Sequence, residues 1–544
     1  MAPIISDVVV HLRTDRSVTH MMLENPSNTA PSDIVCEDTL TGKTATYGGL
    51  RTDAFAAAHS LRHHHNLKSG DTVTIIGRSQ VDYIVAAHAI WAAGCVVNTI
   101  NHSSTPKEML HALQIVKPRL LIVDVAVLDK VRRAVDSLDS VDKPAIMTLI
   151  KRVPETPLFP DDLISPGQRV DPSAYVLDGR DARQVCAAIV LSSGTTGLPK
   201  AVMLSHHNLV CICEMLRGHN PDNWRGSSQR EIFFPPLSHI YGLYVCALMS
   251  PWLGSYVCMV PSFDVETYCR LMHEKRATLA RLVPPVALAL SKSTAVKKYS
   301  YPSLEYFSCS AAPLTPVVAN QLRRQFPGVS LCQTYGCTEL ASCVAQSGVR
   351  DEGKAPLIAA GSLLANMHVR FVDEDGKDVS PPTPGEICVS SPTIMMGYKD
   401  NAAATQEAML EPGWFRTGDV GYLDANGYLV IVDRLKDVIK YKGFQVSPSE
   451  LEEVLFQHSG VQDVGVTSVW DDAQATELPC AFVVPKTSGS EELAKDIMAM
   501  VASKVAGYKK LTGGVYFLDV LPRNPTGKLL RRELRKIAQT RARL

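Results

Sequence analysis

Runs of apolar, often β-branched residues alternate with amphipathic stretches through the first two-thirds of the chain. The segments 73–77, 95–99, 120–124, 187–191, 255–260 and 330–335 are rich in apolar residues without strict alternation, as strands covered on both faces are. This rhythm predicts an α/β fold with largely parallel strands. Proline-rich or polar connections at 154–172 and 380–384 mark joints between subdomains, and no fixed period marks a repeat. After Gly385 the strands draw closer, at 386–390 and 428–433, with the turn-forming Asp424-Ala425-Asn426-Gly427 between them. A β-rich subdomain is expected there. Beyond Arg434 the order becomes a helix at 448–458, strands at 464–469 and 480–484, and a helix near 491–505. The expected division is therefore a large N-terminal domain, 1–435, and a small mobile α+β lid, 436–544.

Composition then narrows the function. Of 544 residues, 46% are hydrophobic and 20% charged, which excludes global disorder and fibrous repeats. Fifty-five basic residues balance fifty-five acidic ones, so the electrostatic footprint of a dedicated nucleic-acid binder is missing. No nucleic-acid partner is expected, and small-molecule chemistry is the starting point. The apolar stretches 83–97 and 245–260 are short or broken by Gly94, Pro251 and Gly254, below the ~20 residues a membrane span needs. Asp7 interrupts the N-terminal apolar run, and no secretory signal is expected. Fourteen scattered cysteines form no C-x-x-C frame, so reduced thiols in an intracellular setting are expected, several simply as small buried side chains. His63, His64 and His65 fit a solvated turn better than a metal site, because three adjacent imidazoles converge poorly.

Candidate chemistry concentrates in Leu191-Ser192-Ser193-Gly194-Thr195-Thr196-Gly197-Leu198-Pro199-Lys200, which follows an apolar strand and precedes a helical stretch from His206. Small residues let backbone N–H groups approach phosphate oxygens, hydroxyls add donors, and Lys200 adds a charge. Pro199 and Ala201 flank that lysine, which departs from the P-loop G-x-x-x-x-G-K-[ST] pattern. A flexible Ser/Gly/Thr surface loop is the plain alternative.

This segment resembles the phosphate-binding signature of the adenylate-forming enzymes, with greatest likeness to 4-coumarate:CoA ligase. Four later segments agree in order: Pro236-Leu237-Ser238-His239-Ile240-Tyr241-Gly242; Tyr335-Gly336-Cys337-Thr338-Glu339; Gly413-Trp414-Phe415-Arg416-Thr417-Gly418-Asp419 with Asp433-Arg434-Leu435-Lys436; and Pro525-Thr526-Gly527-Lys528. The resemblance spans nearly the whole chain. It implies an ATP-dependent carboxylic acid:CoA ligase that forms an acyl-adenylate and then a thioester, using ATP, Mg²⁺ and coenzyme A.

The roles it implies are as follows. Ser192, Ser193, Gly194, Thr195, Thr196, Gly197 and Lys200 bind phosphates. Gln333, Tyr335, Gly336 and Thr338 meet the nucleotide, the Tyr335 ring stacking on adenine, and Glu339 holds the divalent cation. Asp419 and Arg434 bind ribose, and Lys436 is the hinge of the lid. Lys528, with Thr338 and His239, serves adenylation: its ammonium aligns the carboxylate and the α-phosphate. Taken alone, Lys528 would be a solvated charge; His239 gates the acid pocket, with a core histidine packed on Tyr241 as the plainer and less favoured alternative. Lys440 and Gln445 enter the site after the lid rotates, while Lys442 and Gly443 flank the pantetheine channel. The acid slot is formed by His239, Ile240, Tyr241, Val245, Ser310, Thr334, Ser342 and Cys343. Hydroxycinnamate ligases usually carry glycine where this chain has Ser310 and Thr334, so a smaller aryl acid or a short- to medium-chain aliphatic acid is expected.

Two relatives of that chemistry stay open: a stand-alone adenylation enzyme that loads a carrier protein, and a luciferase-like oxygenase. A nucleotide-binding regulator without turnover is opposed by the presence of both Lys200 and Lys528. The final Ala542-Arg543-Leu544 resembles the S-K-L type of address, so a peroxisomal location through an import receptor is expected, or otherwise a cytoplasmic one.

Overall fold

A computed structural model describes residues 3–164, 177–192, 199–442, 444–471, 474, 476–524 and 527–541. Its first sheet has seven strands in the order Gly397–Tyr398, Lys200–Ser205, Cys186–Ser192, Val96–Asn101, Thr72–Gly77, Leu120–Asp124, Ala145–Leu149. The last five are parallel, and the first two add antiparallel to the edge. Helix Val81–Ala92 packs in this layer with all 12 residues buried. Burial on every side, rather than a membrane, accounts for the long apolar stretch at 83–97. No helix among the described residues is long and apolar enough to cross a membrane.

The second sheet joins fifteen strands among the described residues. Strand Ser330–Tyr335 is its pivot. Its first residues pair in parallel with Tyr306–Cys309, while Thr334 and Tyr335 pair antiparallel with Ala345–Gln346. The β-rich part therefore continues the same sheet instead of standing apart. The Asp424–Gly427 turn joins Tyr428–Arg434 to Trp414–Leu423, a strand the hydrophobic pattern did not mark, and Gly385–Ser390 pairs with the far edge of that strand.

Beyond residue 436 come a hairpin of Ile439–Tyr441 and Phe444–Val446, helix Pro448–Leu455, a three-stranded sheet, and helices Glu491–Lys504 and Arg531–Arg541. Pro448 opens the first helix, where its missing N–H is harmless, and the Ser447 hydroxyl accepts from the Glu450 N–H as its cap. Its apolar face, Leu451 and Leu455, packs on Val464, Val466, Ala481, Val483, Ile497 and Val501. Every residue of that core lies beyond 436, so this part buries its own apolar surface, about 2 kcal/mol per large side chain.

Candidate active site

A cavity of about 500 Å³ opens where the large domain meets the C-terminal part. Three structural devices shape its wall. Strand Ser330–Tyr335 ends at the change from parallel to antiparallel pairing, so the chain must reverse at once. Gly336 makes the reversal possible: a Cβ there would lie 1.6 Å from the Ser342 carbonyl oxygen. The following turn, Thr338–Leu340, presents Thr338 and Glu339 to the cavity, with Ala341 and Ser342 held at φ 53° and 120°. On the facing side, His239 caps the turn Ile240–Gly242, its Nδ1 accepting from the Tyr241 N–H at 3.2 Å. The next segment, Leu243–Met249, is a π-helix, fully buried.

The third device comes from the C-terminal part. The Asn524 side chain accepts from the Lys528 N–H at 2.8 Å, and the Gly527 N–H donates to the Asn524 carbonyl, also at 2.8 Å. Arg523 anchors the turn through Asp463 at 2.9 Å and the Gly527 carbonyl at 3.0 Å. Gly527, at φ +81°, lies so near the large domain that a Cβ would stand 3.3 Å from Val283 and 3.4 Å from Pro285. Lys528 and Asn524 thus line the same cavity as Ser192, Lys200, Glu339 and Arg434.

Electrostatics follow from that convergence. Burial, then the nearby Arg434 charge, push the Lys528 ammonium down to about 8. Burial and the Lys528 charge push His239 down to about 4, so its imidazole is neutral at neutral pH. Asp419 sits opposite Arg434 across the strand pair; one carboxylate oxygen lies 3.2 Å from the Arg434 Nε, and the other accepts from the Tyr335 hydroxyl at 2.8 Å. Glu339 accepts from the Tyr398 hydroxyl at 3.0 Å, and the Lys200 ammonium lies 4.7 Å above the Tyr398 ring.

The sequence pattern of the AMP-binding enzyme family matches residues 23–399, and that of the AMP-binding enzyme C-terminal domain matches 450–528. The chain belongs to the AMP-binding enzyme family. Among its relatives, 4-coumarate–CoA ligase-like 9 of Oryza sativa subsp. japonica is 34% identical, covering 95% of this chain and 92% of its own. 4-Coumarate–CoA ligase 2 of Petroselinum crispum is 33% identical, covering 92% and 90%. The structure of ATP-bound MatB from Rhodopseudomonas palustris superimposes with a TM-score of 0.82 at 25% identity, over 96% of this chain and 98% of that one. The anthranilate CoA ligase AuaEII, solved with anthranoyl-AMP, matches with a TM-score of 0.85 at 20% identity, over 98% and 99%, and shows the shared fold.

Within this AMP-binding fold the expected residues divide into several groups. Ser192, Lys200, His239, Ile240, Tyr241, Ser310, Thr334, Gly336, Thr338, Glu339, Ser342, Arg434, Lys436 and Lys528 are brought together on the cavity wall. Val245 and Cys343 are not on its wall, and the Cys343 thiol donates to the Ala345 carbonyl. Tyr244, in the same buried π-helix, stands on the wall. The Gln333 amide donates to the Leu357 and Ala359 carbonyls at 2.7 and 3.1 Å and ties the sheet to that segment. Lys440 is exposed near Glu374, and Lys442, at φ 48°, donates its N–H to Thr476, so both lie on the hairpin away from the cavity. Ser193, Gly194, Thr195, Thr196, Gly197, Gly443 and Ala542-Arg543-Leu544 lie outside the described residues, as does the Gln445 side chain. The described strands on either side of 193–198, Cys186–Ser192 and Lys200–Ser205, pair antiparallel, and the helix from His206 follows the second of them. Sequence reasoning missed Tyr398: it lies in a two-residue strand, and only its pairing with Val202 brings it beside Lys200.

Proposed function

We propose that this chain activates a small aryl acid, or a short- to medium-chain aliphatic one, as its adenylate and transfers it to coenzyme A. The chain is an ATP-dependent, AMP-forming acid–CoA ligase of the AMP-binding family. Relatives that match it over nearly their full length are named CoA ligases, which disfavours carrier loading and luciferase-like oxygenation. The observation that carries the reading is the entry of Lys528, from the C-terminal part, into the cavity that also holds Lys200, Glu339 and Arg434. Four charged groups converging there suit a polyphosphate and a carboxylate. Lys528 holds the two anions in line, Lys200 and residues 193–197 take phosphates, and Asp419 with Arg434 takes the ribose. Thr338 donates to the α-phosphate, and Tyr335 supports the adenine. A carboxylate free of redox chemistry and built of hard oxygens suits Glu339 for Mg²⁺, which would offset phosphate charge when bound. Ser310 and Thr334 on the wall support a slot narrower than a hydroxycinnamate needs.

For the second half-reaction, rotation of 436–544 about Lys436 withdraws Lys528 and brings in the hairpin, with Lys440 and Gln445 toward the adenylate and Lys442 and Gly443 along the thiol channel. Two steps on one site overcome the poor acyl-donor character of a free carboxylate. The last three residues support import into peroxisomes, tested by comparing a fluorescent fusion with and without them. The acid class is tested by incubating the enzyme with ATP, Mg²⁺, coenzyme A and graded aryl and aliphatic acids. Preference for 4-coumarate over benzoate- and hexanoate-sized acids would overturn the narrow-slot reading.

A further inference from the structure

Lys200 and Glu339 line one cavity with opposite charges, Lys200 at the start of strand Lys200–Ser205 and Glu339 in the turn Thr338–Leu340. Tyr398 contacts both of them. Its hydroxyl donates to Glu339 Oε1 at 3.0 Å, and its ring face carries the Lys200 ammonium at 4.7 Å. The phenol therefore meets the two charges with two different parts of one rigid side chain: a hydrogen bond at the edge and the negative face of the π-system. Strand pairing fixes the ring. Tyr398 is in register with Val202, and the Lys399 N–H donates to the Ala201 carbonyl at 2.8 Å, so the segment is tied to the strand that begins with Lys200. On the other side the Tyr398 N–H donates to the Thr405 hydroxyl at 2.9 Å, and the Met395 N–H donates to the Glu339 carbonyl at 2.8 Å. The ring is 7% exposed, on the cavity wall.

We propose that Tyr398 is a positioning residue for the triphosphate end of ATP: it spaces the Lys200 ammonium from the Glu339 carboxylate and keeps the two from neutralising each other before nucleotide arrives. With the spacer in place, Lys200 stays available to phosphate oxygens, and the second Glu339 oxygen stays available to a hydrated divalent cation. Without it, the flexible lysine can swing onto the carboxylate, and both sites are lost together. The inference rests on the proposed roles of Lys200 and Glu339.

The two parts of the side chain separate by substitution. Tyr398→Phe keeps the ring under Lys200 and removes the hydroxyl from Glu339; Tyr398→Leu removes both. The readout is nucleotide binding by titration calorimetry without acid substrate, so no turnover occurs, with ATP and AMP, with Mg²⁺ and with chelator. Tyr398→Phe should raise the Mg²⁺ concentration that half-maximally promotes ATP binding about tenfold, while Mg²⁺-free ATP binding stays within twofold of wild type. Tyr398→Leu should also weaken Mg²⁺-free ATP binding about tenfold. AMP, which lacks the outer phosphates, should bind both variants as it binds wild type. Equal losses for AMP and ATP would make Tyr398 a general packing residue and overturn the inference, as would a Tyr398→Phe variant with wild-type Mg²⁺ dependence. If wild-type ATP binding shows no Mg²⁺ dependence, the Glu339 assignment itself falls, and the inference falls with it.

Discussion

Replacing Lys528 by arginine should move the alkaline limit of adenylation. In the folded enzyme burial, reinforced by Arg434, lowers the lysine to about 8, from an ordinary value of 10.5. The sign follows directly: the ammonium is present below that value, and above it a neutral amine can no longer bridge a carboxylate and a phosphate. For a single proton, the charged fraction falls from ~91% at pH 7 to ~9% at pH 9, so kcat/KM for ATP should drop about tenfold and then continue at about one decade per pH unit. Arginine keeps its charge beyond pH ~12, so Lys528→Arg should show a lower rate but a flat profile to at least pH ~9.5. His239, pushed down to about 4, contributes nothing in this window. The assay is acid-dependent ATP–pyrophosphate exchange from pH 6 to 10, with thioester formation from supplied acyl-AMP as the control that should lack this limb. A wild-type profile flat to pH 10, or an arginine variant that falls in parallel with it, would refute the reasoning.

Other outcomes follow from the same geometry. Lys528→Ala should abolish adenylate formation yet leave thioester formation from supplied acyl-AMP largely intact, read as two separate half-reactions. Ser310→Gly with Thr334→Gly should widen the slot and improve relative kcat/KM for bulky aryl acids by ~1–3 kcal/mol per methylene-sized feature; an unchanged acid profile would remove these residues from the slot. Gly443→Leu should retain pyrophosphate exchange while thioester formation falls at least tenfold, about 1.4 kcal/mol, with acyl-AMP recovered from denatured enzyme; parallel loss of both activities would end the rotating-lid account. Arg281 lies 2.7 Å from Glu231, both nearly without solvent contact, so Arg281→Met should lower stability by ~3–5 kcal/mol in urea unfolding because it strands a buried carboxylate. Adding Glu231→Leu should recover most of that loss.

Much of this architecture is legible in the sequence because its signals are local. The buried parallel strands announce themselves as unbroken apolar runs, and Leu120–Asp124 and Ser330–Tyr335 match their predicted limits. Glycine punctuates where the backbone demands it, as at Gly336, where the chain folds back against Ser342. The failures are nonlocal. Strand Lys200–Ser205 exists because it can pair with Cys186–Ser192, and its run Ala201-Val202-Met203-Leu204 carries no strand-specific period. Tyr244 on the cavity wall carries no mark in the sequence that sets it apart from its apolar neighbours. Tyr398 could be found only through its pairing with a strand almost two hundred positions earlier, since nothing around it differs from an ordinary turn.

Mass balance is the sharpest measurement of AMP-forming ligation by this enzyme. Enzyme, Mg·ATP, coenzyme A and a benzoate- or hexanoate-sized acid are incubated together, and thioester, AMP and pyrophosphate are quantified by mass spectrometry and coupled assay. One acyl-CoA, one AMP and one pyrophosphate are expected per ATP consumed, with acyl-AMP accumulating when coenzyme A is withheld. Formation of ADP and phosphate, or a thioester without any pyrophosphate release, would contradict it.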